Sequence, residues 1–210
     1  MPSNYDNAAW FYDSLSRLVY GKAIIKAQVY LLQYIPPNSS LLIVGGGTGW
    51  ILDRLTRLYS SGLKITYVEV SAKMMALSQK RNTGNNKVVF INDAIENLSG
   101  LPQFDVIITP FLFDNFNEVT FSVVFDHLNN LLIPGGLWLY TDFQLTGKWW
   151  QSVLLKSMLL FFKLLCNIES IKLHHIEPHF MQAGYQATGS KTFFKTFIIS
   201  KAYTKIKKHS

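Results

Sequence analysis

Cysteine is nearly absent from this sequence of 210 residues, in which Cys166 stands alone. A lone cysteine excludes an intrachain disulfide and any cysteine cluster that could hold zinc or an iron–sulfur centre. Charged residues are also few, at 16% of the chain, while hydrophobic residues make up 49%. This composition is too apolar for a disordered protein, and the length suits a single globular domain with a sizeable core.

The N-terminal sequence has neither the basic start nor the continuous apolar stretch of a secretory signal, so we expect a cytoplasmic protein. The formal net charge of +7 raises the question of a nucleic acid or an anionic membrane as partner. Several of the lysines lie near the C-terminus, where a solvated tail explains them. Because no basic stripe interleaved with aromatic residues occurs elsewhere, a nucleic-acid partner is not expected.

Short apolar runs alternate with helical patterns along the chain, without an internal repeat or a linker. The predicted strands are 41–44, 64–69, 88–91, 104–108 and 137–141, with two more between 185 and 202. The predicted helices are 50–59, 71–80 with Ser71 as its N-cap, 118–132, and a short helix begun by Pro178 and closed by Gly184. This alternation predicts an α/β fold, with a parallel sheet and helices on both faces.

A glycine-rich turn, Gly45-Gly46-Gly47-Thr48-Gly49, lies between the first predicted strand and a helix. Glycines let the backbone approach a ligand closely, and the following helix N-terminus offers unpaired amides, so the turn predicts a cofactor site. Dinucleotide dehydrogenases carry G-x-G-x-x-G, whose third glycine would fall on Trp50. The pattern present is G-x-G-x-G, which disfavours a nicotinamide cofactor.

Two acidic residues extend this constellation. Glu69, at the end of the second predicted strand, is placed to accept hydrogen bonds from both ribose hydroxyls of a nucleoside. Asp93, beyond the third strand, is placed to receive an adenine amino group with the Ala94 amide beside it, although an aspartate before a helix is equally often a cap.

The chain resembles the class I S-adenosylmethionine-dependent methyltransferases over roughly its middle half. The segments that carry the resemblance are Val44 to Trp50, Glu69, Asp93-Ala94, Phe104 to Phe116, and Leu132 to Phe143. The opening residues 4–13 are similar to the N-terminal helix of the ubiquinone/menaquinone-biosynthesis branch.

The resemblance implies a Rossmann-like sheet of seven strands, mostly parallel with the last strand antiparallel, in one domain over 1–210. It also implies an N-terminal helical cap over 1–37 and a helical insertion on the acceptor side over 146–183. The implied cofactor is S-adenosyl-L-methionine, with S-adenosyl-L-homocysteine as the product. The cofactor-binding positions would be Tyr12, Gly45, Gly46, Gly47, Thr48, Gly49, Glu69, Val70, Asp93, Ala94 and Thr109.

One position departs from the family pattern. Members usually carry an acidic residue two positions before the first glycine of the turn, and this sequence has Ile43 there. Weaker cofactor binding or a non-catalytic cofactor-binding domain is therefore a competing hypothesis.

Methyl transfer is an in-line displacement at a sulfonium methyl group, so positioning supplies most of the catalysis and no protein nucleophile is needed. A phenol, hydroxyl or carbon acid as acceptor would need a general base near the carboxyl ends of strands four and five. The candidates are Asp114, Asp142 and His174, or its neighbour His175; alternatively Asp114 caps a helix, Asp142 closes a strand and the histidines lie at the surface. Pro178 interrupts the register between His175 and His179, so we expect no metal site.

A helix predicted near 149–166 is unusually apolar but contains Lys156 and Lys163, which disfavours a membrane span. It could form an acceptor lid, a peripheral membrane contact, a homodimer interface or simply core. The sequence therefore predicts methylation of oxygen or carbon on a small, apolar or aromatic acceptor. The alternatives are an RNA or protein methyltransferase, favoured by the charge, and a non-catalytic S-adenosylmethionine-binding domain.

Overall fold

The structure is a computed structural model that describes residues 20–166 and 173–207, with side chains up to residue 157 in the long fifth helix. The predicted cofactor residue Tyr12 and most of the predicted N-terminal cap lie outside the described residues. The described helices are α1 (Ala23–Leu32), α2 (Trp50–Leu58), α3 (Ala72–Ser78), α4 (Glu118–Leu131), α5 (Trp149–Cys166) and α6 (Ile176–Gln182). The described strands are β1 (Ser40–Val44), β2 (Ser61–Val68), β3 (Asn85–Ile91), β4 (Phe104–Pro110), β5 (Leu132–Phe143), β6 (Tyr185–Phe193) and β7 (Ile198–Lys205).

The seven strands form one sheet in the order β3-β2-β1-β4-β5-β7-β6. β1 pairs in parallel with both β2 and β4, whereas β7 runs antiparallel to both of its neighbours. The predicted fold class is therefore confirmed, including the antiparallel last strand. The strand order reverses at β1, and in open α/β sheets ligands bind in the crevice at the carboxyl ends of the strands next to such a reversal.

Apolar layers cover both faces of the sheet, which explains why β1 is hydrophobic throughout. Leu42 and Val44 of β1 pack into the layer that α4 and α6 cover. Leu41 and Ile43 pack into the opposite layer, with residues of α1 and α2. Helices thus lie on both faces, as the sequence pattern predicts.

Several element boundaries differ from the sequence prediction. β5 begins at Leu132 instead of 137, so Pro134, Gly135 and Gly136 lie inside an irregular stretch of the strand, where the register with β4 shifts. The helix expected to begin at Pro178 is α6, which begins at Ile176. A proline is tolerated there because an amide in the first turn of a helix has no partner within the helix.

The terminal parts of the chain join the main core. On the α1 side, the Ser200 hydroxyl donates a 2.8 Å hydrogen bond to the Ala27 carbonyl. α6 lies within the predicted acceptor-side insertion, yet its Phe180 is fully buried in the layer beneath α4. The glycine turn and the carboxyl ends of β4 and β5 lie at one edge of the sheet, because β1, β4 and β5 are parallel neighbours.

Candidate active site

The glycine turn follows β1, and its backbone adopts a conformation that residues with a Cβ atom disfavour. Gly49, the residue before α2, has a left-handed backbone with φ of 77°. A Cβ atom at Gly49 would lie 2.7 Å from the Ser78 Cα atom of α3, and one at Gly46 would lie 2.6 Å from the Tyr67 ring. Such distances are closer than atoms can pack, so the turn needs glycine both for backbone shape and for space.

Tertiary contacts hold the turn in place. The Tyr67 hydroxyl donates a 2.9 Å hydrogen bond to the Gly47 carbonyl. The Arg81 Nε atom donates at 2.8 Å to the carbonyl of the buried Thr48, and its Nη1 atom lies 3.3 Å from the Asp53 carboxylate on α2. Sequence reasoning missed Tyr67 and Arg81, because neither residue is close to the turn in sequence.

Glu69 follows β2 and is buried, with 5% of its surface exposed. One carboxylate oxygen accepts a 2.9 Å hydrogen bond from the Gly47 amide, and the other accepts one of the same length from the Ser71 amide. Each carboxylate oxygen can accept more than one hydrogen bond, so these contacts are compatible with a further role toward ribose hydroxyls. The structure therefore brings Glu69 to the glycine turn, as its predicted role requires.

Asp93 lies two residues before a short 3-10 turn, Ile95–Asn97, and forms local hydrogen bonds. Its Oδ1 atom accepts hydrogen bonds from the Ala94 amide at 2.7 Å and from the Asn97 side chain at 2.8 Å. The Asn97 amide and then the Ala94 amide lower the pKa of this exposed carboxyl. The Ala94 amide, expected beside adenine, thus donates to Asp93. The residue that precedes the 3-10 turn is Ala94, which has no side-chain cap hydrogen bond, so both adenine recognition and a capping role for Asp93 stay predictions.

Val70 lies next to Glu69 and is partly exposed. Its carbonyl and that of Glu69 accept hydrogen bonds from the Asn92 side chain, at 3.0 and 2.7 Å. Asn92 therefore fixes the chain after β2, a role that the sequence pattern does not indicate.

The Thr109 side chain lies in the buried apolar layer beside β4. Its side chain is fully buried in β4, and its hydroxyl accepts a 2.9 Å hydrogen bond from the Trp138 indole. An indole N–H needs a partner when it is buried, and Thr109 supplies that partner in the apolar layer. These contacts account for the Thr109 side chain, and a cofactor contact at Thr109 stays a prediction.

Asp114 and Asp142 come together after β4 and near the end of β5. Both are buried, and the charge of Asp114 contributes to the raised pKa of Asp142. The helix cap suggested as the alternative role of Asp114 is formed by Asn117, whose side chain accepts from the Thr120 amide. Asp114 instead lies in a short 3-10 turn, Phe113–Asn115, where its Oδ1 atom accepts a 2.7 Å hydrogen bond from Asn115.

Burial controls the ionisation of this carboxyl pair. Desolvation raises the pKa of Asp114 to about 7. Desolvation, followed by the charge of Asp114, raises the pKa of Asp142 well above the ordinary range of a carboxyl. Both carboxyls therefore hold their protons to a higher pH than exposed carboxyls do, and the ionisation of one opposes that of the other.

Aromatic side chains surround the pair. Burial, followed by the charge of the neighbouring Asp142, raises the pKa of Tyr140. Burial raises the pKa of Tyr20, and the charge of Asp114 raises it further. The Tyr20 ring therefore lies near the carboxyl pair. The Phe143 ring lies 5.4 Å from that of Tyr20 and 4.8 Å from that of Phe111, a residue with a left-handed φ of 50° at the end of β4.

His174 links two segments of the chain that are distant in sequence. Its Nε2 atom lies 2.8 Å from the Phe116 carbonyl oxygen, and its ring stacks on Phe121 at 4.3 Å. The Nδ1 atom lies 3.5 Å from the Glu118 carboxylate. With its side chain buried by these contacts, His174 ties the loop after β4 to the chain before α6, and its role as a base stays a prediction; His175 is exposed.

Ile43 is fully buried in the layer shared with α1 and α2. An apolar side chain suits that layer, and an unpaired carboxylate there would be strongly destabilising. Among the described residues, no group of three or more His, Cys, Asp and Glu side chains could hold a metal ion.

The comparisons with known proteins agree with this geometry. Residues 41–136 match the protein family described as "Methyltransferase domain". The chain is 30% identical over 147 residues to the ubiquinone/menaquinone biosynthesis C-methyltransferase UbiE of Wigglesworthia glossinidia brevipalpis, a match covering 66% of this chain and 57% of that protein. The chain thus spans little more than half the length of this curated relative.

Solved structures share the fold at low sequence identity. The 1,6-didemethyltoxoflavin-N1-methyltransferase of Burkholderia thailandensis, with bound 1,6-didemethyltoxoflavin and S-adenosylhomocysteine, is 14% identical with a TM-score of 0.67, over 95% of this chain and 85% of that one. The N-methyltransferase NodS of Bradyrhizobium japonicum WM9, in complex with S-adenosylhomocysteine, is 10% identical with a TM-score of 0.63, over 86% of this chain and 84% of that one. Residues 41–136 therefore resemble the methyltransferase domain family, and the chain shares the fold of these solved methyltransferase structures.

Proposed function

We propose that this protein transfers a methyl group from S-adenosyl-L-methionine to an oxygen or carbon atom of a small, apolar or aromatic acceptor. The observation that carries the proposal is the buried pair of Asp114 and Asp142, which lies among aromatic rings at the sheet edge that also holds the glycine turn. The match of residues 41–136 to the methyltransferase domain family supports the cofactor, and the buried pair supports the acceptor chemistry.

The residues around the glycine turn fit the cofactor. The turn combines glycines that have no space for a Cβ atom with the N-terminus of α2, where backbone amides suit the carboxylate of an amino acid. Glu69 lies at hydrogen-bonding distance from the turn and follows the neighbouring strand, where a ribose acceptor belongs in this class of fold. When bound, the cofactor supplies the methyl group on its sulfonium, and the chain's task is to orient it and exclude water.

The carboxyl pair supplies a base. An acceptor O–H or C–H must lose its proton as the methyl group arrives, and a base is most effective when its pKa is near the working pH. Desolvation raises the pKa of Asp114 to about 7, which suits that role. Burial and the charge of Asp114 also raise the pKa of Asp142, and in its protonated form Asp142 can donate a hydrogen bond to an oxygen of the acceptor.

The surroundings of the pair favour an acceptor with little polarity. Tyr20, Phe143, Leu155 and Phe197 form a buried apolar cluster, against which Phe111 and Trp150 also pack. Aromatic side chains recognise flat apolar ligands through stacking and edge contacts. The Tyr20 hydroxyl and the two carboxyls would supply the few polar contacts that orient such a ligand.

Two measurements on the full chain test the proposal. S-adenosylhomocysteine at about 100 times its Kd should stabilise the fold by about 2.7 kcal/mol, whereas NAD should leave the Tm unchanged. Labelled S-adenosylmethionine should then transfer its methyl group to members of a panel of phenols and enolisable carbonyl compounds. Equal Tm shifts with both ligands would refute the cofactor assignment, and transfer to RNA or protein alone would refute the small acceptor.

One observation favours a second candidate, a domain that binds S-adenosylmethionine without catalysis. Ile43 occupies the position of the usual acidic residue and is buried among apolar side chains, so no carboxylate reaches the cofactor from this position. S-adenosylhomocysteine binding without transfer to any acceptor class would support this candidate. Measurable transfer would exclude it.

A further inference from the structure

One end of the molecule is rich in lysine and is formed by chain segments without acidic residues. Residues 20–38, 143–166 and 185–200 contain no aspartate or glutamate. The segments meet in space, because the Phe194 ring lies 5.3 Å from that of Tyr20 and 6.1 Å from that of Trp150. Lysines exposed on these segments are Lys22, Lys26, Lys148, Lys156, Lys191 and Lys195.

Apolar side chains are exposed on the same end. Trp149 at the start of α5 is 78% exposed, Val153 is 54% exposed and Leu145 is 47% exposed. Trp149 and Val153 are four positions apart and therefore share one face of the helix. Gln151 and Leu155 are buried, so the opposite side of these turns packs against the domain.

A direct contact joins Lys148, the residue before α5, to Lys195 in the β6–β7 turn. The Lys148 ammonium donates hydrogen bonds to the Lys195 carbonyl and to the Thr196 hydroxyl, both at 3.3 Å. This contact places Lys195 beside the start of α5. We call the exposed residues Leu145, Lys148, Trp149, Val153, Lys156 and Lys195 the α5 surface.

We propose that the α5 surface binds the headgroup region of an anionic lipid bilayer. Tryptophan is enriched at the level of lipid headgroups because its ring is apolar and its N–H is polar. Lysines beside it would neutralise lipid phosphates, and each is worth about 1 kcal/mol near an anionic membrane. Among the described residues, no helix is long and apolar enough to cross a membrane, so the contact is peripheral.

The composition of the surface favours lipid over two other occupants. In a symmetric dimer the same patch meets itself, which would bring Lys148, Lys156 and Lys195 of two copies together. Single-stranded RNA binds proteins by stacking bases on several aromatic rings, whereas the exposed partners of Trp149 are the aliphatic Leu145 and Val153. The proposal does not depend on the identity of the methyl acceptor.

Vesicle flotation of the full chain tests the proposal. The protein should float with phosphatidylcholine vesicles that contain about a third phosphatidylglycerol, and much less with phosphatidylcholine alone or at high salt. The double variant Trp149→Ser, Val153→Ser should bind at least about tenfold more weakly, because it removes the inserted apolar area. A matched control is Val119→Ser, Val123→Ser, which changes two exposed valines four positions apart on α4.

A second pair of variants tests the charge. Lys156→Gln, Lys195→Gln should weaken binding by about twentyfold or more, from about fivefold per lysine. Lys64→Gln, Lys87→Gln, at the opposite end of the sheet, should bind like the unaltered protein. Thermal unfolding of each variant confirms that it is folded.

Three results would overturn the proposal. The first is no flotation of the unaltered protein above background, and the second is equal binding by the α5 variants and their controls. The third is a dimeric mass in solution that the Trp149→Ser, Val153→Ser variant halves. Tighter binding to a single-stranded RNA than to vesicles, lost in the same variants, would also overturn it.

Discussion

Ionisation of Asp114 opposes ionisation of Asp142, because the two buried carboxyls lie near each other at the ends of adjacent parallel strands. In a parallel sheet neighbouring strands end at the same edge, so residues far apart in sequence meet there. The pair is costly to bury when charged, and in the proposed mechanism it removes a proton from the acceptor. Its ionisation therefore links stability to activity.

The first prediction concerns stability against pH. The pKa of Asp114 is raised to about 7 in the folded protein from 3.8 in the unfolded chain, so its stabilising contribution is complete below pH 3.8 and is lost as the pH rises through about 7. Asp114→Asn should therefore be more stable than the unaltered protein at pH 8, by about 2–4 kcal/mol, and similar to it near pH 4. Urea unfolding at several pH values measures this. A variant less stable at pH 8 would contradict the burial of an ionisable Asp114.

The second prediction concerns activity. If Asp114 is the base, kcat/KM for the acceptor should rise with pH and level off above about 7, the pKa to which burial raises this carboxyl. Asp114→Asn should lower kcat/KM by about 10²–10⁴-fold with little change in S-adenosylhomocysteine affinity. Asp126→Asn, which changes an exposed carboxylate on α4, is the control. Activity retained in Asp114→Asn would remove Asp114 from catalysis.

The third prediction concerns Glu69, whose carboxylate accepts from the Gly47 and Ser71 amides. Glu69→Ala should weaken cofactor binding by about 1.5–3 kcal/mol, because charge-assisted hydrogen bonds are lost. It should also lower the free energy of unfolding by about 1–3 kcal/mol, since two amides lose their acceptor. Calorimetry and urea unfolding measure the two effects, and the exposed Glu96→Ala is the control. Loss of stability alone would limit Glu69 to holding the turn.

The fourth prediction separates backbone strain from crowding at the glycine turn. Gly49 and Gly100 have nearly the same positive φ, 77° and 73°, but a Cβ atom at Gly100 would meet no atom within 4 Å. Gly100→Ala should cost about 1–2 kcal/mol from the left-handed backbone alone. Gly49→Ala should cost about 1–3 kcal/mol more, because its Cβ atom would overlap Ser78. Thermal unfolding compares them, and equal losses would show that α3 moves aside at no cost.

The fifth prediction tests the hydrogen bond between His174 and the Phe116 carbonyl. His174→Phe keeps a ring to stack on Phe121 but removes the hydrogen bond, so the protein should lose about 1–3 kcal/mol of stability. Methyl transfer should fall by less than about tenfold, since removal of a true base costs about 10²–10⁴-fold. His175→Phe, on an exposed side chain, should be neutral. A loss of activity as large as that of Asp114→Asn would identify His174 as the base.

Local sequence determined much of the fold and of the cofactor side of the site. The continuous apolar run of β1, the glycines before α2 and the N-cap Ser71 each act over a few residues, so their structure could be predicted from the order of side chains. Glu69 could be predicted because its distance from the turn follows from the length of one helix and one strand.

Only the tertiary structure decided the remaining roles. Thr109 and Asp142 both follow apolar runs in the sequence. In the structure the Thr109 hydroxyl accepts a hydrogen bond from the Trp138 indole, whereas Asp142 lies close enough to Asp114 for its charge to raise the Asp142 pKa. Arg81 reaches the glycine turn, and His174 reaches Phe116, across long stretches of chain. Burial and the charge of distant neighbours depend on how helices and strands pack, and the sequence pattern of a single element contains neither quantity.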